Sequence, residues 1–295
     1  DLFEKMKDEK QINNWEKTIQ RLKLDKKYDD LLKSCYYDDP IDDAILRYEK
    51  SQEWTEIKKF LNRYNIKSGK VLDYGAGRGI CSVTFAKNNY DVYSLDSNDG
   101  SEAGLNSLKG IKEKRGLKIE IIKSDFQKIP FDGDFFDLVY ARQSLHHSGD
   151  LTIACSEIRR VLKKGGMFFA LKDHVIDNLE DKNIFLKNHP LHEFTGDENA
   201  FLLDDYKNAF KNNNFKVVKI LKTYSSAINY DPNTLENILE HYTKNKFLLG
   251  TKVFQNILLN DGNVSNFLKS LIIFLINLRD KTPGRPYSFI LEKKQ

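Results

Sequence analysis

Apolar positions along the chain follow two rhythms. Up to about residue 65 they recur at helical spacing: Ile41, Ala44, Ile45 and Tyr48, then Trp54, Ile57, Phe60, Leu61 and Tyr64 after Pro40. No stretch there alternates as a strand would. From residue 70 short apolar runs take turns with amphipathic helices. Val71-Leu72-Asp73-Tyr74 predicts a first strand, followed by a glycine turn and a helix to about Lys87. Val92 to Asp96, Ile119 to Lys123 and Phe136 to Ala141 predict three more strands, with a helix around Ala103 to Lys114.

The clearest helix places Leu151, Ala154, Ile158, Val161 and Leu162 on one face. Asp150 is positioned to cap it, Lys163 and Lys164 to fill its last turn, and Gly165-Gly166 to end it. Met167 to Lys172 then reads as a fifth strand, Leu203 to Asn212 as a helix, Phe215 to Tyr224 as a sixth strand and Tyr287 to Glu292 as a seventh. Strands alternating with helices imply parallel pairing through right-handed crossovers. The expected fold is α/β, a Rossmann-like, mostly parallel sheet with helices on both faces. Its expected divisions are an N-terminal helical segment (1–66), a core (67–224), a helical insertion serving as cap or dimer surface (225–286) and the last core strand (287–295). The insertion carries helical patterns at Leu235 to Tyr242, Val253 to Leu259 and Phe267 to Leu278.

Composition changes the picture little. Lys+Arg 47 against Asp+Glu 43 gives a net charge of +4, with the lysines interspersed among acids, so no basic stripe speaks for nucleic acid. Three scattered cysteines, Cys35, Cys81 and Cys155, suit reduced thiols and a cytoplasmic setting. The apolar stretch Phe267 to Leu278 contains Lys269 and falls short of the ~20 residues a bilayer span needs.

The chemistry gathers at the carboxyl ends of the predicted strands, where open α/β sheets bind ligands. Gly75-x-Gly77-x-Gly79 lets the backbone approach a ligand closely, and the helix beyond it offers free N–H groups. A dinucleotide fingerprint would need glycine where Ile80 stands. Asp96, followed by Ser97, ends the second strand where an acid can grip ribose hydroxyls, and Asp125-Phe126 closes the third beside the place for a flat base.

Val71 to Gly79 resembles motif I of class I S-adenosylmethionine (SAM) methyltransferases. Ile129-Pro130-Phe131, Phe136 to Val139, Leu145-His146-His147 and Ile158 to Gly166 resemble later motifs of the family's small-molecule branch. The resemblance implies a seven-stranded sheet with the last strand antiparallel, and SAM as cofactor. Asp73, Gly75, Ala76 and Gly77 would face its methionine part, Asp96 its ribose and Asp125 with Phe126 its adenine. Tyr140 and Ala141 would line the methionine end.

Five of the six histidines, His146, His147, His174, His189 and His192, follow the fourth or fifth strand, on the side where an acceptor must enter. His174, His189 and His147 are the candidate bases for a hydroxyl acceptor. His146, His192 and Arg142 are candidate acceptor contacts, with a scaffold role for His146 and a surface salt bridge for Arg142 left open. Their spacing, with Asp150, Asp173 or Glu193, matches no metal-ligand pattern, so no metal is expected. Tyr48, Glu53 and Trp54 read as a core-facing stripe with a solvated acid beside it, or else as a cover for the cofactor.

The stretches Lys172 to His192 and Pro283 to Phe289 are similar to methyltransferases of bacterial surface-polysaccharide gene clusters, which implies a small-molecule acceptor such as a sugar hydroxyl. A non-catalytic SAM-binding assembly module and an enzyme acting on a lipid-like acceptor at a membrane surface are the competing readings.

Overall fold

In a computed structural model, residues 14–196, 198–244 and 263–294 are described. Eight strands form one sheet: β1 (Lys70–Tyr74), β2 (Asp91–Asp96), β3 (Ile119–Lys123), β4 (Phe136–Arg142), β5 (Leu162–Ile176), β6 (Phe201–Leu202), β7 (Phe215–Leu221) and β8 (Arg285–Lys293). Their order is β3-β2-β1-β4-β5-β8-β7, and the two-residue β6 pairs with the far end of β5. β8 runs antiparallel to both β5 and β7, and the remaining pairings are parallel. The expected Rossmann-like sheet is therefore present, with β6 as a small addition.

Strand periodicity explains why both faces are covered. Val71, Leu138 and Phe169 belong to one apolar cluster, whereas Leu72, Val139 and Phe168 belong to the other. Successive side chains point to opposite faces, so a strand apolar at every position must be buried on both. The first face receives helices Ile41–Lys50 and Gln52–Arg63 through Ala44, Tyr48, Trp54 and Phe60, together with helix Ile80–Lys87. The second receives helices Leu151–Val161 and Leu203–Asn212. Asp150 caps the former as expected, its carboxylate accepting from the N–H groups of Thr152 and Ile153 at 2.7 and 3.0 Å.

Several boundaries move, β8 among them, which begins at Arg285 and not at Tyr287. The capped helix stops at Val161, so Lys163 and Lys164 lie in the next strand and not in its last turn. The reason is pairing: Leu162 sits opposite Phe136 and Met167 opposite Leu138, so the residues between them form an irregularity in β5. β7 ends at Leu221 and not at Tyr224. β5 continues to Ile176, which puts His174 inside the strand and not after it.

Between β7 and β8, helices Ala227–Tyr230, Leu235–Lys244 and Asn263–Arg279 are described. Leu239, Ile272 and Ile276 pack together there. The predicted helix Val253 to Leu259 lies outside the described residues. No helix among the described residues is long and apolar enough to cross a membrane.

Candidate functional site

One cavity of about 410 Å³ opens at the carboxyl ends of the central strands. That volume lies within the range typical of small-molecule sites. Asp73, Gly75, Ala76, Gly77, Asp96, Ser97, Asp125 and Phe126 all line it. The turn after β1 is built for close approach. Gly75 has φ +79°, and a Cβ placed there would stand 2.3 Å from Ser144 Cβ, so a side chain is excluded. The N–H groups of Gly75 and Ala76 both donate to Leu95 O, and that of Gly77 donates to Asp96 Oδ2 at 2.8 Å.

Two carboxyl groups are buried in this half. Asp73 is 2% exposed and accepts from Ser82 Oγ at 2.5 Å. Loss of hydration, with Asp96 adding to it, pushes its pKa up to about 7. Burial likewise raises Asp96 to about 6, against the backbone N–H groups of Asn98 and Gly77. Two buried acids whose charge is costly to hold on a cavity wall are what a ligand with a cationic end and hydroxyl donors would satisfy. Phe126 packs on Tyr74, ring centroids 5.0 Å apart, and Tyr74 Oη donates to Phe126 O.

Tyr140 and Ala141, in contrast, are fully buried and absent from the cavity wall. Their side chains fall on opposite faces of β4, one in each apolar cluster, and Tyr140 Oη meets Tyr48 Oη at 2.7 Å. The expectation that they line the methionine end is corrected: the strand's double-sided burial turns them inward, and Arg142 is the first residue of β4 to reach the cavity.

The other half of the cavity carries Arg142, His146, His147, His174 and His189. His192 is not on its wall; it begins the helical turn His192–Thr195, and Leu191 faces the cavity in its place. His146 is 1% exposed, and its Nδ1 lies 2.8 Å from Asp173 Oδ1. Its Nε2 is 3.5 Å from Glu198 Oε2. Burial lowers the His146 imidazole, and the two carboxylates outweigh it, leaving the pKa raised to about 9. His174 donates from Nδ1 to Gly284 O at 2.8 Å, and burial beside His146 drives it down to about 3. Burial also lowers His189. Glu198 sits amid these rings; burial raises it, but His146 and the neighbouring His147 and His189 hold it well below the usual carboxylate range.

Glu198 is not legible in the sequence. It is one of two adjacent acids in a polar loop, and only the fold brings it to the histidines. Glu53, expected as a solvated acid, is instead 0% exposed. It binds Arg142 through two contacts, 2.6 and 3.0 Å, and Lys172 at 2.8 Å. Arg142 is thus part of a buried ion cluster and not of a surface salt bridge. Its guanidinium also lies over the rings of Tyr36 and Tyr48. The N-terminal segment contributes more wall than expected: Trp15, Tyr36 and Tyr37 line the cavity. Arg78 secures that segment by donating to the carbonyls of Tyr36 and Asp38, and Glu16 by accepting from the N–H groups of Glu102 and Ala103.

Residues 72–170 match the family described as a methyltransferase domain. Sterol 24-C-methyltransferase ERG6B of Gibberella zeae is 34% identical over 157 residues, 51% of this chain and 39% of that protein. Sarcosine/dimethylglycine N-methyltransferase of Aphanothece halophytica is 33% identical over 147 residues, 48% of this chain and 49% of that protein. The chain thus spans less than half the length of these curated relatives. Among solved structures, geranyl diphosphate C-methyltransferase from Streptomyces coelicolor A3(2) shares the fold. Its TM-score is 0.51 at 13% identity, covering 81% of this chain and 80% of that one. The matched segment runs from β1 into β5.

Proposed function

We propose that this chain transfers a methyl group from SAM to a small-molecule acceptor, with a hydroxyl oxygen as the leading target. The observation that carries the reading is one cavity with two unlike halves. A glycine bend and two buried carboxyls form one half, and histidines form the other. SAM would occupy the first half: Asp73 would hold its ammonium group, Asp96 its ribose hydroxyls and Phe126 its base. When bound, it would supply a methyl group on a sulfonium, to be displaced in line with the S–CH3 electron pair remaining on sulfur.

The chain's own part is alignment and proton removal. His174, with Nδ1 committed to Gly284 O and burial driving its pKa down to about 3, is too weakly basic to take a hydroxyl proton and would position the acceptor through Nε2. His147 and His189 line the same half and are the candidate bases. Arg142, held by Glu53, would hold its stretch of the wall in place and not grip a ligand directly. A sugar or sugar-linked hydroxyl, as in surface-polysaccharide biosynthesis, is the acceptor suggested by the sequence from Lys172 to His192.

A titration of SAM into the wild-type chain and into Asp96→Ala tests the cofactor half. Undiminished affinity in Asp96→Ala would overturn the proposed pose. Labelled methyl transfer to a panel of glycosides, with His174→Ala as control, tests the acceptor half.

A second reading, a lipid-like acceptor met at a membrane surface, draws on helix Asn263–Arg279. Among the described residues its Phe267 is 67% exposed, Phe274 58% and Leu278 52%. Liposome binding lost in Phe267→Asp/Phe274→Asp would favour this version.

A further inference from the structure

We propose that the histidine half of the cavity is a divalent transition-metal site, with His146, His174 and Glu198 as its ligands. One ligand atom from each residue lies within 4.8 Å of the other two. Three features beyond proximity point to a cation. Both imidazoles are oriented from behind: His146 Nδ1 by the Asp173 carboxylate at 2.8 Å, His174 Nδ1 by the Gly284 carbonyl at 2.8 Å. Metal-binding histidines are held in this way, the outer acceptor fixing the tautomer and leaving Nε2 for the ion. Glu198, whose side chain is 6% exposed, has an Oε2 without a hydrogen bond, although four histidines surround it. Its distance from His146 Nε2 is 3.5 Å, too long for a good hydrogen bond. Two ligands on one tetrahedral ion, each at about 2.1 Å, stand about 3.4 Å apart, which matches that spacing.

Two imidazoles and one carboxylate select Zn²⁺, Fe²⁺ or Co²⁺ over Mg²⁺ and Ca²⁺, which prefer oxygen ligands alone. Three protein ligands also leave positions open, and all three residues line the cavity. The cation's use rests on the proposed methyl transfer: an acceptor oxygen bound at an open position would lose its proton to solvent more readily and so present a stronger nucleophile. The cation's binding does not rest on that reading.

The test uses the full chain, stripped with chelator and titrated with Zn²⁺ and then Co²⁺, while SAM affinity is measured separately. The expected result is one tightly bound ion per chain. The Co²⁺ form should show two hyperfine-shifted, exchangeable imidazole N–H resonances, from the two Nδ1–H groups. Glu198→Ala and His174→Ala should abolish stoichiometric binding, and Asp173→Asn should weaken it by about 10–100-fold. SAM affinity in each variant shows that it is folded. A wild-type chain that binds SAM but no more Zn²⁺ than Glu198→Ala would overturn the site and leave the methyltransferase reading intact. An ion bound without SAM affinity would do the reverse. Should a variant fail to fold, the Co²⁺ spectrum of the wild type decides alone, because surface-bound ions give no such pair of resonances.

Discussion

Glu53→Gln is the substitution whose effect follows most directly from the geometry. The change preserves shape and removes one negative charge from a cluster holding Arg142 and Lys172, whose side chains are 11% and 9% exposed. Lys172 Nζ keeps a bond to Asp231 O, and Arg142 one to Gln143 Oε1, but neither retains an anion from Glu53. Stranding a buried charge costs about 3–5 kcal/mol. For a chain of this size that corresponds to a melting temperature lower by about 5–10 °C. The pH dependence has a definite sign. Burial raises the Glu53 pKa, yet Arg142 and Lys172 outweigh it and hold it below its ordinary value. Its stabilisation is therefore present above the unfolded value near 4.5 and lost as pH falls through the folded one. Calorimetric scans of wild type and Glu53→Gln from neutral to acid pH should converge. The triple variant Glu53→Leu/Arg142→Met/Lys172→Met should recover most of the loss, since an apolar replacement strands nothing. A drop under about 2 °C for Glu53→Gln at pH 7, about 1 kcal/mol for a chain this long, would refute the reasoning.

Other outcomes follow from the same geometry. Asp73→Asn should raise stability at pH 8 by up to a few kcal/mol in the ligand-free chain while weakening SAM binding. The Asp73 pKa is about 7 when folded against the ordinary aspartate value of 3.8, so its favourable contribution is complete below 3.8 and lost as pH rises through 7. Chemical denaturation at pH 4 and 8 checks this, and equal effects at both would count against it. Gly75→Ala should abolish measurable SAM binding, because the new methyl group collides with Ser144 and sits at positive φ; calorimetric titration reads this directly. Asp96→Ala should lose about 1–3 kcal/mol of SAM affinity, about 5–150-fold in Kd, through the hydrogen bonds of a charged acceptor.

The sequence by itself determined the sheet and the residues of the glycine-and-carboxyl half of the cavity. Both rest on local signals. Val71-Leu72 and Val139 sit in runs long enough to define strands, and Asp73, Gly75, Asp96 and Asp125 stand at fixed offsets from strand ends, so finding the strands places them. Boundaries such as Val161 and Ile176 escaped because cross-strand pairing sets them, not local propensity. Tertiary structure alone decided the rest. Glu198 meets His146 across 52 residues and Glu53 meets Arg142 across 89. An acidic side chain carries no periodicity that distinguishes a buried partner from a solvated one. Its state depends on which cations the fold brings within a few ångströms, an energy that exists only once distant segments have packed.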